Sequence, residues 1–468
     1  MGCHSKEELY TSCEEFHCIF RNQEQIMSAI KKLTLFDISL IVVSLVIGMG
    51  IFRVPASVAA TSGTETIFFG VWIAGGLIAL LGALTYAEIG QRLPAMGGYY
   101  KVFAECYHPA IGFSVNAIIL ISNAASLAVV TLIGADYVSD LLYGRPSGTL
   151  FNSMVAIAAV GIFYFVNLLG LKTSSRTQNI LTILKLTMVV ILIASVVKGV
   201  IVEPHGYIQD DPLFTLQDKS PWALFLISLI PVSFAFGGYQ QTINFGAEAE
   251  KPSGVPKGIL IGIVIVTLLY LAINFSYTKV IGYEPMKNAT AIGALLCEAW
   301  FGKAGAKVFD GLMFVSVMAY VNVVLLSNPR VMFAMSKDGV FPKLFGQRNE
   351  KTGALVPSLT VFSLTTIVVS FFGKEVDPIL NFSMFLDCIG MATSAAALFI
   401  LRKRQKTQLA AWNRYTPVFS TLFVLAYFGI ATGVFIKDLN AALTGTGLLI
   451  FFLGIYFIFY HKGKAKTL

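Results

Sequence analysis

The sequence predicts an all-α integral membrane protein with about twelve membrane-spanning helices. Of its 468 residues, 56% are hydrophobic and 13% are charged, against about 25% charged in an ordinary soluble domain. The apolar segments are continuous runs long enough to cross a bilayer as helices, not short stretches of alternating polarity typical of a β-barrel. In hydrocarbon, an α-helix satisfies its own backbone hydrogen bonds, which makes such runs stable.

Twelve apolar runs are separated by polar residues or by Pro and Gly. They lie near residues 36–60, 67–90, 110–140, 151–171, 178–201, 222–246, 257–281, 304–335, 356–373, 378–401, 416–437 and 441–460. The first run follows more than 30 mostly polar residues, so we expect an uncleaved anchor. Met27 opens a stretch that would serve equally well as a start.

The basic residues indicate orientation. The net charge is +8, but Lys and Arg are scattered between apolar runs and form no patch typical of nucleic-acid binding. Most fall in connections on the side of the N-terminus, including the cluster at 402–406. The sequence therefore predicts a multi-pass protein of the plasma or inner membrane with both termini in the cytoplasm.

Three basic residues lie within or at the edge of apolar runs, where an ionisable group is costly unless it is paired or hydrated. Arg53 and Arg330 are close enough to their helix ends for the side chains to reach water. Lys185 lies well inside the run NILTILKLTMVVILI and cannot easily do so. Lys185 is therefore a functional candidate.

Glycines interrupt the first and the sixth apolar runs. The first contains IGMGIF, from Ile47 to Phe52, and the sixth contains FAFGGYQQ, from Phe234 to Gln241. Taken singly, such glycines are also typical of close helix packing. Two breaks five runs apart predict a 5+5 inverted repeat in which helices one and six are discontinuous, followed by two C-terminal helices. The N–H groups at a break suit a carboxylate and its C=O groups suit an ammonium, as an α-amino acid requires.

Four ordered motifs resemble the amino acid–polyamine–organocation (APC) superfamily. They are IGMGIF with Asp37 before it, GALTYAEIGQRLPAMGGYY at 82–100, AEAEKPSGVPKGI at 247–259 and SNPRVMFAMSKDGVFPKLF at 327–345. FAFGGYQQ and GLKTSSRTQNILTILK look most like the L-type amino acid transporters. The resemblance implies a secondary active amino acid transporter that works by alternating access. It also implies a cytoplasmic tail at 1–34, a ten-helix transport core at 35–402, and helices eleven and twelve with a second cytoplasmic tail at 403–468.

The resemblance also implies which residues contact the substrate. At the first break these are Val46, Gly48, Met49 and Gly50, and at the second break Phe234 and Gly237, with Phe236 and Tyr239 shaping the gate or side-chain pocket. The alternative for the three aromatic residues is plain helix packing.

Lys185 falls where many sodium-independent members of the superfamily carry a lysine whose ammonium replaces a sodium ion. Its role is either purely structural or that of a titrating group that couples transport to protons. The expected activity is therefore a sodium-independent exchanger or a proton symporter.

Partners and other ligands are constrained by cysteines and histidines. The loop YGRPSGTLFN lacks the cysteine with which animal L-type transporters link to a heavy chain, so no disulfide-linked heavy chain is expected. Cys297 is the one cysteine placed in an outside loop, and no disulfide is expected there. The spacing of Cys3, His4, Cys13, His17 and Cys18 matches no common zinc pattern, so neither metal nor cofactor is predicted. A sequon lies at 288–290.

Two other interpretations remain. A polyamine or organic cation is an alternative cargo, although Asp387 is the one acidic residue well inside a run. A membrane enzyme or channel is the alternative of another class. The chain has no HExxH motif, no P-loop lysine motif and few histidines with which to build a catalytic site.

Overall fold

The computed structural model describes residues 32–48, 50–144, 148–198, 220–287, 289, 292–371, 377–405, 414–437 and 439–460. Its helices are α1 (Leu35–Val46), α2 (Val54–Ser62), α3 (Glu65–Arg92), α4 (Gly98–Cys106), α5 (Pro109–Tyr143), α6 (Thr149–Leu168), α7 (Leu171–Ala194), α8 (Pro221–Ala235), α9 (Gly254–Val280), α10 (Tyr283–Met286), α11 (Ile292–Phe301), α12 (Gly305–Lys337), α13 (Val356–Ser370), α14 (Asp377–Arg404), α15 (Thr416–Lys437) and α16 (Leu439–Phe459). Met49, the tail with Met27 and its Cys/His cluster, both ends of the sequon and the C-terminal lysines lie outside the described residues.

The all-helical membrane architecture is confirmed. In the described part of the chain, ten helices are long and apolar enough to cross a membrane, and α1 and α13 are shorter apolar helices. Together they account for the twelve apolar runs of the sequence.

Both predicted breaks interrupt their helices. The first run is divided into α1, a short 3₁₀ turn at Gly50–Phe52, and α2, which has Pro55 in its first turn. The sixth run divides after α8, and a 3₁₀ segment at Tyr239–Asn244 continues it. Gly238 between them has a φ of +105°, a backbone conformation that a residue with a Cβ adopts only under strain.

The helix packing is consistent with two repeats whose corresponding helices make equivalent contacts. The first broken helix packs through α1 against α9, and the second packs through α8 against α3. Run one therefore packs against run seven, and run six packs against run two. Each of these pairs takes the position of the other when the two five-helix halves are exchanged. Helices α5 and α12 pack against each other through the centre, and α15 and α16 pack against α14.

Helix α7 begins seven residues earlier than the expected span at 178–201. Polar residues at the start of α7 bond within the bundle: Ser174 donates to Asn167 at 2.6 Å, and Gln178 donates to Ser44 at 2.7 Å. Cys297 lies in the connection between α9 and α12, as predicted, but this connection contains the helix α11 and the cysteine is buried within it.

At the end of the bundle that carries Arg330, the segment before α1 is bonded to the loop before α9. Leu33 exchanges backbone hydrogen bonds with Glu248 and Glu250, both at 2.8 Å, which fixes the entry to α1 against the loop before α9. The expectation that Arg330 reaches water is wrong, because its guanidinium is buried and paired with the Glu248 carboxylate. Pairing offsets part of the cost of burying either charge alone.

Candidate functional site

The two helix breaks lie in direct contact at the centre of the bundle. A Cβ placed on Gly50 would lie 3.8 Å from the Cα of Ala235, and one on Gly238 would lie only 2.5 Å from the carbonyl oxygen of Leu45. Glycine at 238 is therefore required both by its backbone conformation and by this close approach. The sequence predicted both breaks, and the structure brings them together.

The carbonyl groups that end α1 and α8 converge on one hydroxyl. The Oη of Tyr270 in α9 lies 3.1 Å from the Val46 oxygen and 3.0 Å from the Ala235 oxygen. Tyr270 was not predicted from the sequence. The signal is a tyrosine in the middle of the apolar stretch TLLYLAINF, because a buried hydroxyl usually needs a partner.

Lys185 also forms a hydrogen bond at the first break. Its side chain is fully buried, and its ammonium donates to the Ile47 carbonyl oxygen at 2.6 Å. Among the described residues no carboxylate forms a salt bridge with it. The ammonium therefore places an unbalanced positive charge beside the end of α1, where exposed carbonyl groups favour a cation.

The backbone beyond the first break presents donors. The Arg53 N–H bonds to the Gly50 oxygen at 3.0 Å, and Gly50 and Ile51 lie in the short 3₁₀ turn that precedes α2. Backbone N–H groups just ahead of a helix suit a carboxylate.

Several predicted residues at the two breaks are only partly buried. Gly48, Gly50, Phe234 and Gly237 each keep accessible surface. No atom lies within 4 Å of the position that a Cβ on Gly48 would occupy. Val46, by contrast, is buried and contributes its carbonyl group rather than its side chain.

The other two aromatic residues point into helix interfaces. Phe236 is buried and packs against Tyr270, with 4.9 Å between ring centroids, and against Trp72. Tyr239 is fully buried with its ring 5.9 Å from that of Tyr86. In the described part of the chain its hydroxyl has no hydrogen-bond partner.

Comparison with known proteins gives one family and several relatives. The family model described as amino acid permease matches residues 33–460. The serine/threonine exchanger SteT of Bacillus subtilis is 27% identical over 445 residues, which cover 92% of this chain and 97% of the relative. The human cystine/glutamate transporter is 26% identical, covering 92% and 85%. The large neutral amino acids transporter small subunit 2 of Oryctolagus cuniculus is 25% identical, covering 91% and 80%.

Proposed function

Because the chain belongs to the amino acid permease family, we propose that it is a secondary active transporter that moves amino acids by alternating access without sodium. Amino acid transport follows from the family and from relatives that are transporters, not enzymes. The sodium independence and the mode of coupling are the finer parts of the proposal.

The observation that carries the proposal is the contact between the two breaks. It brings the backbone N–H groups of Gly50 and Ile51 close to the carbonyl ends of α1 and α8, where Gly48 and Gly50 keep accessible surface. The N–H groups suit the α-carboxylate, and carbonyl oxygens suit the α-ammonium. In this proposal Gly48, Met49, Gly50 and Gly237 contact the backbone of the substrate.

The proposed absence of sodium coupling rests on Lys185. Its ammonium, fixed 2.6 Å from the Ile47 oxygen, supplies the positive charge that a sodium ion would otherwise bring to this carbonyl group. An exchanger requires no group that titrates during the transport cycle. A proton symporter additionally needs a group that titrates during the cycle, and Lys185 is the candidate.

The contacts at the end of the bundle that carries Arg330 support the alternating-access part of the proposal. Opening towards that side requires separation of Leu33 from Glu248 and rearrangement of the buried Arg330–Glu248 pair. We propose that this end faces the cytoplasm together with both termini, on the grounds of the Lys and Arg distribution. We further propose that residues 35–402 form the transport core and that no disulfide-linked heavy chain is needed.

Uptake of a labelled amino acid panel into proteoliposomes tests the proposal. Replacing external sodium with choline should leave the initial rate nearly unchanged. Internal unlabelled amino acid should accelerate uptake by an exchanger, whereas an inward proton gradient should accelerate uptake by a symporter. Collapse of uptake in choline contradicts sodium independence, and no uptake of any amino acid contradicts the function.

A further inference from the structure

A buried amide joins three helices beside the first break. The Gln178 side chain in α7 donates from Nε2 to the Ser44 hydroxyl in α1 at 2.7 Å. Its Oε1 accepts from the Nδ2 of Asn322 in α12 at 2.8 Å. All three side chains are fully buried. Because water does not reach them, a bond lost at this point is not replaced by solvent.

Two backbone carbonyl groups fix the orientation of these amides. Asn167, at the end of α6, donates from Nδ2 to the Phe163 oxygen at 2.8 Å and to the Asn322 Oδ1 at 3.0 Å. The Asn322 Nδ2 also donates to the Ser174 oxygen at 3.1 Å. A carbonyl oxygen can only accept, so each asparagine must turn its NH₂ group towards it. The Gln178 oxygen therefore faces Asn322, and its NH₂ group faces α1.

A second bond joins α1 to α7 closer to the break. The Lys185 ammonium donates to the Ile47 oxygen at 2.6 Å. Gln178 and Lys185 are seven residues apart in α7 and lie on the same face of that helix. Ser44 and Ile47 are three residues apart and are likewise neighbours on the surface of α1. The two bonds therefore lie next to each other along one helix interface.

The bond from Gln178 holds the part of α1 from which the Ile47 carbonyl projects. Ile47 is the C-cap of α1, and its ψ of 84° turns its carbonyl away from the helical direction. Where this carbonyl lies thus depends on where the last turn of α1 is held. A hydrogen bond weakens steeply when its distance and angle change. A shift of the Ser44 turn would therefore weaken the contact between Ile47 and Lys185.

Polar side chains between membrane helices also act as general adhesion between those helices. A residue with that role alone affects folding and transport to the same extent whatever stands at position 185. A residue that places the Ile47 carbonyl acts through Lys185, so its effect depends on the lysine. The two roles therefore differ in a measurable way.

We propose that Gln178, oriented by Asn322, is a positioning residue of the transport cycle. It holds the last turn of α1 through Ser44, so that the Ile47 carbonyl meets the Lys185 ammonium. This inference rests on the proposed function and names the residues that place its fixed charge. Without the amide, α1 shifts and the cation no longer meets the carbonyl group.

A double-mutant cycle tests this inference. Initial uptake of an equimolar mixture of labelled amino acids is measured in proteoliposomes, at matched reconstitution, for wild type, Gln178→Met, Lys185→Met and the double variant. Methionine has a side chain of similar length to glutamine but lacks the amide. We expect Gln178→Met to lower uptake about tenfold when Lys185 is present and less than about twofold when methionine replaces it, because the bond that Gln178 supports is then already lost.

Asn116→Leu is the matched control. It removes another buried amide, which donates to the Gly112 carbonyl of its own helix α5 at 2.9 Å. Any loss of uptake caused by this variant should be the same factor with lysine or methionine at position 185, because distant and independent effects add as free energies.

The outcomes separate this inference from the proposed function. An equal loss from Gln178→Met in both backgrounds would show adhesion alone and overturn the inference, as would an unchanged uptake rate for Gln178→Met. Both results leave amino acid transport standing. No uptake by wild type overturns the proposed function and this inference with it.

Ser44→Ala provides the same test if Gln178→Met does not insert. It deletes one oxygen, the acceptor of the Gln178 bond, and leaves both amides in place. We expect uptake to fall about threefold with Lys185 present and to stay unchanged in the Lys185→Met background. An equal loss in both backgrounds, or no loss in either, contradicts the positioning role.

Discussion

The two helix breaks have the same backbone design but different polar surroundings. At the first break a buried ammonium is bonded to the Ile47 carbonyl, and the hydroxyl of Tyr270 meets the Val46 carbonyl. At the second break the same Tyr270 hydroxyl meets the Ala235 carbonyl. The Tyr239 hydroxyl, directly after this break, is buried and has no hydrogen-bond partner among the described residues. The fixed cation of Lys185 therefore distinguishes the first break from the second.

The largest effect is expected where the two breaks touch. Gly238→Ala introduces a Cβ 2.5 Å from the Leu45 oxygen at a φ of +105°, so we expect uptake to fall by more than about tenfold through backbone strain. Gly161→Ala is the matched control because its Cβ meets nothing within 4 Å. Initial uptake and thermal unfolding at matched reconstitution are measured. Equal uptake rates and equal unfolding temperatures for the two variants would show that position 238 accepts a Cβ.

Gly50→Leu tests the other side of the same contact. A Cβ there meets only ordinary contacts at 3.8 Å, so the protein should insert, because membrane insertion favours leucine. The longer side chain fills the space next to the N–H groups of Gly50 and Ile51, and we expect loss of amino acid binding. Binding is measured by substrate-induced thermal stabilisation of the purified protein. If substrate stabilises Gly50→Leu as much as wild type, Gly50 does not contact the substrate.

Lys185 tests whether the first break depends on a fixed charge. We expect Lys185→Met to cut uptake about tenfold or more, because the Ile47 carbonyl loses its cation. Lys185→Arg keeps the charge but changes shape and hydration, so its rate should lie between those of Met and wild type. Initial uptake against external pH also distinguishes the two roles, since in a proton symporter the Met variant would lose the pH dependence. An uptake rate of Lys185→Met equal to that of wild type would show that the lysine contributes only to packing.

The smallest effect is expected for Tyr270→Phe, which removes the hydroxyl shared by both breaks. The Val46 and Ala235 carbonyls then lack this donor, and the loss should amount to ~1–3 kcal/mol of stability. Tyr164→Phe is a suitable control, because that hydroxyl pairs with Thr360 in a different interface. Thermal unfolding in detergent measures both. A smaller shift for Tyr270→Phe than for the control would mean that water or substrate replaces its hydroxyl.

Periodicity and composition decided much of this protein from sequence. Continuous apolar runs have one stable solution in hydrocarbon, so the all-helical fold and the number of runs could be predicted. Gly48, Gly50 and Gly237 could be located because glycines that interrupt such a run mark a change in backbone direction. Lys185 stood out because an ammonium at that depth requires a partner.

The tertiary structure decided which partners those groups meet. The Ile47 oxygen beside Lys185 and the Glu248 carboxylate beside Arg330 lie 138 and 82 residues away in the chain, and local sequence carries no signal for such pairings. The polar start of α7 reads as a loop in sequence, whereas in the fold its residues bond to Ser44 and Asn167. Tyr270 likewise acquires a role only when packing brings two helix ends to its hydroxyl. Hydrophobicity is a property of each residue, whereas satisfying a buried polar group depends on distant residues that folding brings together.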